Sequence, residues 1–184
     1  SGNRGFTTAV LWMTRADDTE EGIAYGTDEG YLCIWKRVKA ELEFHEVFCR
    51  RLEAEPGWEE ISTLAYDTNT HQLAVSQRSQ LVHRFLIDGS MRPHKMRSVK
   101  IESHYPQAVG FGHSGVKGVE VWSFGRDDGD IHVLDEEGTT LATHRTGLIA
   151  GSAAINIKDD IFILDDTAQG IGLYKLSSCE RIKT

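Results

Sequence analysis

The sequence lacks any apolar run that approaches the length needed to span a bilayer, so we predict no transmembrane helix. Its first residues, SGNRGF, lack the apolar stretch of a signal peptide, and the chain has no N-x-Ser/Thr glycosylation site. The three cysteines, Cys33, Cys49 and Cys179, are odd in number, widely spaced and in no C-x-x-C arrangement. This pattern argues against a disulfide framework and against a structural zinc site. We therefore expect an intracellular protein, cytoplasmic or nuclear.

Positive charge is also scarce. The 184 residues include 20 Lys and Arg against 28 Asp and Glu, which gives a formal net charge of −8. A chain of this charge repels phosphate backbones on average, so nucleic acid is not the expected partner. The one basic stretch, RPHKMRSVK from Arg92 to Lys100, is typical of an outer strand whose charges prevent edge-to-edge pairing.

Catalytic and metal-binding motifs are missing as well. The eight histidines form no H-x-H or H-E-x-x-H pattern, and the stretch Gly110–Gly115 has the wrong spacing for a nucleophile elbow. The acidic run Asp127-Asp128-Gly129-Asp130 could hold a hard cation, but Asp-Gly is also typical of a tight turn. We favour the turn, and we predict no enzyme activity, no cofactor and no metal site.

An internal repeat dominates what is present. Four ten-residue segments begin at Gly26, Ser76, Gly125 and Asp165 and superpose without a gap: GTDEGYLCIW, SQRSQLVHRF, GRDDGDIHVL and DDTAQGIGLY. In each repeat, large apolar residues alternate with small ones, which indicates strands covered by neighbouring sheets on both faces. Arg84 is the clearest exception to this pattern.

Each repeat contains two further apolar segments, one before and one after this pair of strands. The preceding strands carry Val10 with Trp12, Leu64 with Tyr66, Val109 with Phe111, and Ile155 with Ile157. The chain is thus predicted to be all-β, with sixteen short antiparallel strands in four units and no helix. The four units lie within one domain, 1–184, at approximately 5–55, 56–102, 103–147 and 148–184.

The segment GTDEGYLCIWK, from Gly26 to Lys36, resembles the pattern of the WD40 repeat family: a small residue, an Asp-Gly turn and a strand that ends in Trp. The resemblance covers nearly the whole chain and implies a β-propeller of four-stranded blades. In that family a Gly-His pair, a Ser or Thr, the turn Asp and the Trp form a buried hydrogen-bond relay. Here only Trp35 stands at the Trp position and no first strand follows a Gly-His pair, so we expect incomplete relays.

The number of repeats raises the question of ring closure. WD-repeat rings usually hold seven or eight blades, and an open arc of four would expose two apolar blade faces. Three arrangements remain open. Two copies could form an eight-bladed ring about a two-fold axis, the other blades could belong to a larger propeller, or strongly wedge-shaped blades could close a ring of four.

The resemblance also implies a binding face. In a propeller, the loops before the innermost strands lie beside the turns between second and third strands, and aromatic and Arg side chains are frequent interface anchors. We predict a scaffold that binds a protein or peptide there, through Asp28, Trp58, Glu59, Glu60, Arg78, Tyr105, Gln107 and Arg126.

Trp58 is the first candidate among these residues, although it could instead fill the gap between the first two blades. The alternative function is binding of a small ligand, such as a glycan, in repeated pockets between blades. Because the loops differ in length and content, a single partner is favoured.

Overall fold

The segments in which large and small residues alternate form β-strands. Each repeat folds into one four-stranded antiparallel sheet. The computed structural model describes residues 3–15, 20–38, 40–112, 118–127, 129–147, 150–152, 161–166, 170–175, 178 and 180–183. Within these residues there are sixteen strands and no helix. The prediction of an all-β chain built from four-stranded sheets is confirmed.

The strands follow the order of the chain, with the first strand of each sheet innermost and the fourth outermost. The first sheet contains β1 (Thr7–Thr14), β2 (Glu20–Thr27), β3 (Tyr31–Val38) and β4 (His45–Arg51). The second contains β5 (Ile61–Asp67), β6 (Gln72–Gln77), β7 (Leu81–Ile87) and β8 (Pro93–Lys100). The third contains β9 (Pro106–Gly112), β10 (Glu120–Gly125), β11 (Asp130–Leu134) and β12 (Thr140–Arg145).

The fourth sheet contains β13 (Ala150–Ser152), β14 (Ile161–Asp166), β15 (Gly170–Lys175) and β16 (Arg181–Lys183). Its first strand was predicted around Ile155 and Ile157, and these two residues lie outside the described part of the chain. The strand that pairs with β14 among the described residues is β13, with Ala150 opposite Asp166.

Apolar side chains fill the spaces between the first three sheets. One cluster joins the first two sheets and includes Met13, Leu32, Ile61 and Leu73. Another joins the second and third sheets through Ala74, Val82, Val109, Val121 and Leu134. The central strands β6 and β10 are buried along their whole length, as expected for strands covered on both faces.

In three sheets, the turn between the second and third strands includes a residue in the left-handed conformation. Gly30, Gln80 and Gly129 occupy the same position of the repeat, with φ values of 84°, 67° and 68°. Glycine adopts this left-handed conformation without steric cost, which explains its use in the first and third turns. Gln80 adopts it without that freedom, and its side-chain oxygen accepts a hydrogen bond from the Ser103 amide at 2.7 Å.

Arg84, the exception in the repeat pattern, crosses from the second sheet to the third. Its guanidinium is buried and donates from Nε to the Gln72 side chain at 2.8 Å and from Nη1 to the Asp135 carbonyl at 2.8 Å. Its Nη2 donates to the Val119 carbonyl. Arg84 can occupy a position that is apolar in the other repeats because its planar guanidinium donates to three acceptors at once.

The outward faces of the first and fourth sheets are exposed. On the first sheet, the side chain of Val10 is 67% exposed and that of Trp12 is 48% exposed. On the fourth sheet, Ile171 is 68% exposed. The four sheets therefore form an open array with apolar residues at both ends. The described part of the chain contains no helix with the length and apolar character that crossing a membrane requires.

Candidate binding face formed by the leading loops

Strand register decides which loops meet. The start of each first strand lies opposite the end of the second strand, as in the pairs Thr7 with Thr27, Ile61 with Gln77, and Pro106 with Gly125. The loop that leads into each first strand (its leading loop) therefore lies beside the turn that follows the second strand. We call this edge of the first three sheets the loop face: residues 3–6, 28–30, 52–60, 78–80, 101–105, 126–127 and 129.

One backbone hydrogen bond recurs across the loop face. The amides of Asp28, Arg78 and Arg126 donate to the carbonyls of Phe6, Glu60 and Tyr105, at 3.0, 3.0 and 2.9 Å. Each bond ties a turn to the leading loop of its own sheet. Five of the predicted residues, Asp28, Glu60, Arg78, Tyr105 and Arg126, take part in these bonds, so the backbone that presents their side chains is held in place.

Two of the predicted residues on this face, Trp58 and Tyr105, form an aromatic pair. They come from two consecutive leading loops, and their ring centroids are 6.0 Å apart with an interplanar angle of 37°. Trp58 follows a turn closed by its amide on the Glu55 carbonyl at 2.9 Å, and its side chain is 44% exposed. An aromatic pair that is packed on one side and open on the other offers a large, rigid contact area at low entropic cost.

Ion pairs flank the aromatic pair. Arg78 contacts the Glu60 carboxylate at 2.8 Å, and Arg126 contacts Asp127 at 2.9 Å. The Arg126 guanidinium lowers the pKa of Asp127, while Asp127, with smaller contributions from Tyr105 and Glu60, raises the pKa of Arg126. Since both charges of each pair are solvent-accessible, the face offers polar groups of both signs around an apolar centre.

Glu59 shapes the loop from within. Its carboxylate accepts the Gly57 amide at 2.9 Å, which lowers the pKa of this carboxyl, and it lies 3.6 Å from Arg51. Its carbonyl accepts a hydrogen bond from the Gln77 side-chain amide at 2.9 Å. Glu59 therefore fixes the loop that carries Trp58.

A buried polar chain continues from this loop into the second sheet. Because Gln77 donates to Glu59, its oxygen is left as the acceptor for His83 Nε2, at 2.5 Å. The neutral imidazole then accepts the Ser98 hydroxyl at Nδ1, at 2.6 Å. His83 is fully buried, and this desolvation, with a contribution from Lys95, lowers its pKa from 6.5 to about 4.

Acid is therefore expected to destabilise the fold through His83. The unfolded chain binds a proton near pH 6.5 and the folded chain only near pH 4, so stability is complete above pH 6.5 and is lost as the pH falls towards 4. The loss attributable to this group is about 3.5 kcal/mol at most, since one pKa unit corresponds to about 1.4 kcal/mol. Urea unfolding at stepped pH measures it.

The matched variant is His83→Gln, which keeps a buried polar side chain but cannot gain a proton. It should lower stability at pH 8 and flatten the dependence between pH 6.5 and 4. An unchanged pH slope in this variant would assign the acid sensitivity to other groups.

The third sheet contains a second polar chain that sequence analysis missed. His104, in its leading loop, is buried and bonds the Ser123 hydroxyl through Nε2 at 2.9 Å. Its ring lies 4.4 Å from that of His132 on β11, which in turn faces the Thr143 hydroxyl at 3.4 Å. The sequence did not reveal His104, because the family pattern has Gly-His before the first strand and here Ser103 replaces the Gly.

The remaining predicted residues have different positions. Asp28 accepts the Phe6 amide at 2.7 Å and thereby holds the segment before β1. Gln107 lies inside β9, half-buried, because that strand already begins at Pro106. Phe6 is 82% exposed on the loop face and was not predicted, since no alternating pattern surrounds it.

The structure offers no metal centre within its described residues. No three His, Cys, Asp or Glu side chains among them come together in an arrangement that could hold an ion. In the acidic run beside Arg126, Asp127 forms its ion pair with that arginine, and Asp128 lies outside the described part.

The similarity of this chain to known proteins is limited to its fold. No family model matches the sequence, and no curated protein matches it. The structure is similar to BBS1N, solved in a crystal structure in complex with ARL6DN, with a TM-score of 0.63 and 14% sequence identity. The match covers 91% of this chain and 50% of that chain, so this chain spans about half the length of the solved one.

BBS1N is a β-propeller, and the likeness supports a β-propeller arrangement of the four sheets. The exposed end faces show that the described sheets do not close a ring by themselves.

Proposed function

We propose that this chain is a non-catalytic propeller scaffold of the WD-repeat type that binds a protein or peptide through its loop face. The observation that carries the proposal is the half-exposed pair of Trp58 and Tyr105, framed by the ion pairs of Arg78 and Arg126. An aromatic centre with a polar rim is the usual composition of a protein interface.

Two further observations support it. BBS1N was solved in complex with the protein ARL6DN, so a similar propeller forms a protein complex. The His104–Ser123 bond links a histidine before a first strand to a serine on the second strand, as in the WD-repeat relay. That bond supports the WD-repeat assignment, although Trp35 alone stands at the Trp position of the family pattern.

A single partner is favoured over repeated small ligands. The aromatic pair joins the leading loops of the second and third sheets. On the first sheet, the leading loop and the adjacent turn contain Phe6 and Asp28, which do not form an aromatic pair. Because these positions are not equivalent, we do not favour a glycan bound in each gap between blades.

A displayed peptide library tests the binding function. The library would be selected on the 184-residue chain, and enriched peptides would be measured on variants by fluorescence titration. The matched variants are Trp58→Ala and Leu86→Ala, because both residues are 44% exposed but only Trp58 lies on the loop face. Peptides that lose affinity for Trp58→Ala alone support the proposal. Peptides that respond only to Leu86→Ala contradict it.

We also propose that a second copy completes the ring. The exposed outward faces of the first and fourth sheets resemble the two surfaces that pack together between the second and third sheets. Val109 and Phe111 of β9 pack against Ala74 and Val82 of the second sheet. In the repeat, Val10 and Trp12 correspond to Val109 and Phe111, while Ile163 and Ile171 correspond to Ala74 and Val82. The fourth sheet of one copy can therefore cover the first sheet of the other.

The expected result is a particle of about twice 20.6 kDa in light scattering. Val10→Lys or Ile171→Lys should shift it to the monomer, because each places a charge in an apolar junction. Leu86→Lys is the control, since that exposed leucine belongs to the second sheet, away from both ends. A soluble monomer of the unchanged chain would contradict closure by a second copy.

A further inference from the structure

We infer that Cys33 and Cys49 are a covalent modification site: a cross-strand disulfide that forms within the first sheet when the chain meets a low-molecular-weight disulfide. The inference does not depend on peptide binding at the loop face. Because the pair lies on the outward face of the first sheet, the inference requires that a second copy leave the outermost strand β4 uncovered. It rests on the pairing of β3 with β4, the separation of the two sulfur atoms and the cleft beside them.

The two cysteines are direct neighbours across the sheet. In the register of β3 and β4, Cys33 lies opposite Cys49, and both belong to a row that continues through Tyr25 to Val10. Opposed residues of an antiparallel pair have Cα atoms about 4.5–5.5 Å apart, within the range that a disulfide spans. The two side chains therefore lie on the same face of the sheet.

The sulfur atoms already lie close together. The Sγ atoms are 2.7 Å apart, whereas a covalent S–S bond measures about 2.05 Å. Both thiols are free, so only a small approach of two side chains is needed, without a change of strand register. Arg4 closes this corner of the sheet, with one guanidinium nitrogen 3.8 Å from Cys33 Sγ and 2.6 Å from Glu46.

An oxidant reaches the pair from the side of Cys49. This residue is half-buried and lines an open cleft of about 440 Å³ together with Arg4, Tyr31 and Glu46. Cys33 is fully buried behind it. The cleft is large enough for the cysteine part of oxidised glutathione. The arrangement assigns Cys49 as the thiol that attacks the glutathione disulfide first, and Cys33 as the thiol that then displaces glutathione from Cys49.

The exchange proceeds in two steps. The Cys49 thiolate attacks one sulfur of oxidised glutathione, whose S–S bond breaks to leave a mixed disulfide and one glutathione thiolate. The Cys33 thiolate then attacks the Cys49 sulfur and expels the second glutathione thiolate. The two protein thiols are oxidised, one glutathione disulfide is reduced to two thiols, and the protons of the protein thiols pass to the released glutathione.

The environment of Cys49 sets the rate. Burial and the adjacent Cys33 thiol raise the pKa of Cys49 to about 12, so its thiolate is scarce at neutral pH. We expect the rate to rise about tenfold per pH unit between pH 7 and 9. A thiol of high pKa is also a poor leaving group, so the bond, once formed, should be reduced slowly.

The test exposes the folded 184-residue chain to oxidised glutathione at pH 7, 8 and 9. Mass spectrometry should show a loss of about 2 Da with no glutathione retained, and peptide mapping should find Cys33 linked to Cys49. Because the bond closes a short loop of the chain, the melting temperature should rise by about 5–10 °C.

Two variants complete the design. Cys179→Ser removes the third thiol and should react as the unchanged chain does. Cys49→Ser should show neither the mass loss nor the thermal shift. Three thiols that remain titratable after treatment at pH 9 would overturn the inference, and so would a cross-link that includes Cys179.

Discussion

Replacing Arg84 with alanine should lower the free energy of unfolding by about 3–5 kcal/mol. The variant leaves three buried acceptors without their donor: the Gln72 side chain and the carbonyls of Val119 and Asp135. It also removes the contact of the guanidinium with the Phe111 ring, whose centroid lies 6.0 Å away. The cost should appear as a lower urea midpoint and a melting temperature reduced by about 10 °C.

Two controls separate charge from geometry. Arg84→Lys keeps the positive charge but loses the planar fork, so it should recover only a part of the lost stability. Arg84→Met keeps much of the volume and no donors, so its difference from Arg84→Lys reports the hydrogen bonds. If Arg84→Ala stays within about 1 kcal/mol of the unchanged chain, the bonds between the second and third sheets do not hold them together.

Replacing Trp58 with alanine should weaken binding of a selected peptide by at least about 30-fold, which corresponds to the 2 kcal/mol of an interface hot spot. Trp58 is 44% exposed, and its ring centroid lies 6.0 Å from that of Tyr105. Its removal should therefore cost little stability, about 1 kcal/mol from the lost aromatic pair. Isothermal titration calorimetry and thermal unfolding of the same sample measure both effects.

Tyr105→Phe is the companion variant. It keeps the ring that supports Trp58 and should leave affinity within a few-fold of the unchanged chain unless the hydroxyl contacts the partner. A large fall in melting temperature for Trp58→Ala, with affinity preserved, would mean that this indole fills a gap between sheets and does not bind a partner.

Much of the loop face could be predicted because superposing the repeats shows which strands pair and which loops lie at the same edge. Once the four turn segments are superposed, each first strand must pair with the second strand of its repeat, and their loops must meet at one edge. Trp58, Glu60, Arg78, Tyr105 and Arg126 could thus be assigned to that edge. Their side-chain partners could not be assigned, since an ion pair such as that of Arg78 with Glu60 joins residues far apart in the chain.

The buried polar residues were predicted less well. His83 and His132 occupy the same position of the repeat, but their partners, Ser98 and Thr143, come from outer strands without a shared motif. His104 was missed altogether. Arg84 stands out in the sequence as an exception to the repeat pattern, but its acceptors could not be predicted, because the carbonyls of Val119 and Asp135 come from the next repeat.

By itself, the sequence determined the repeat, the alternation of large and small residues, and hence the all-β chain of four-stranded sheets. These features are local, since strand period and turn chemistry depend on residues close together in the chain. Only the tertiary structure decided what crosses between strands and sheets: the opposition of Cys33 to Cys49, the bonds of Arg84 and the approach of Trp58 to Tyr105. Such contacts depend on register and on stacking, because a shift of one residue in a strand would move every side chain to the opposite face.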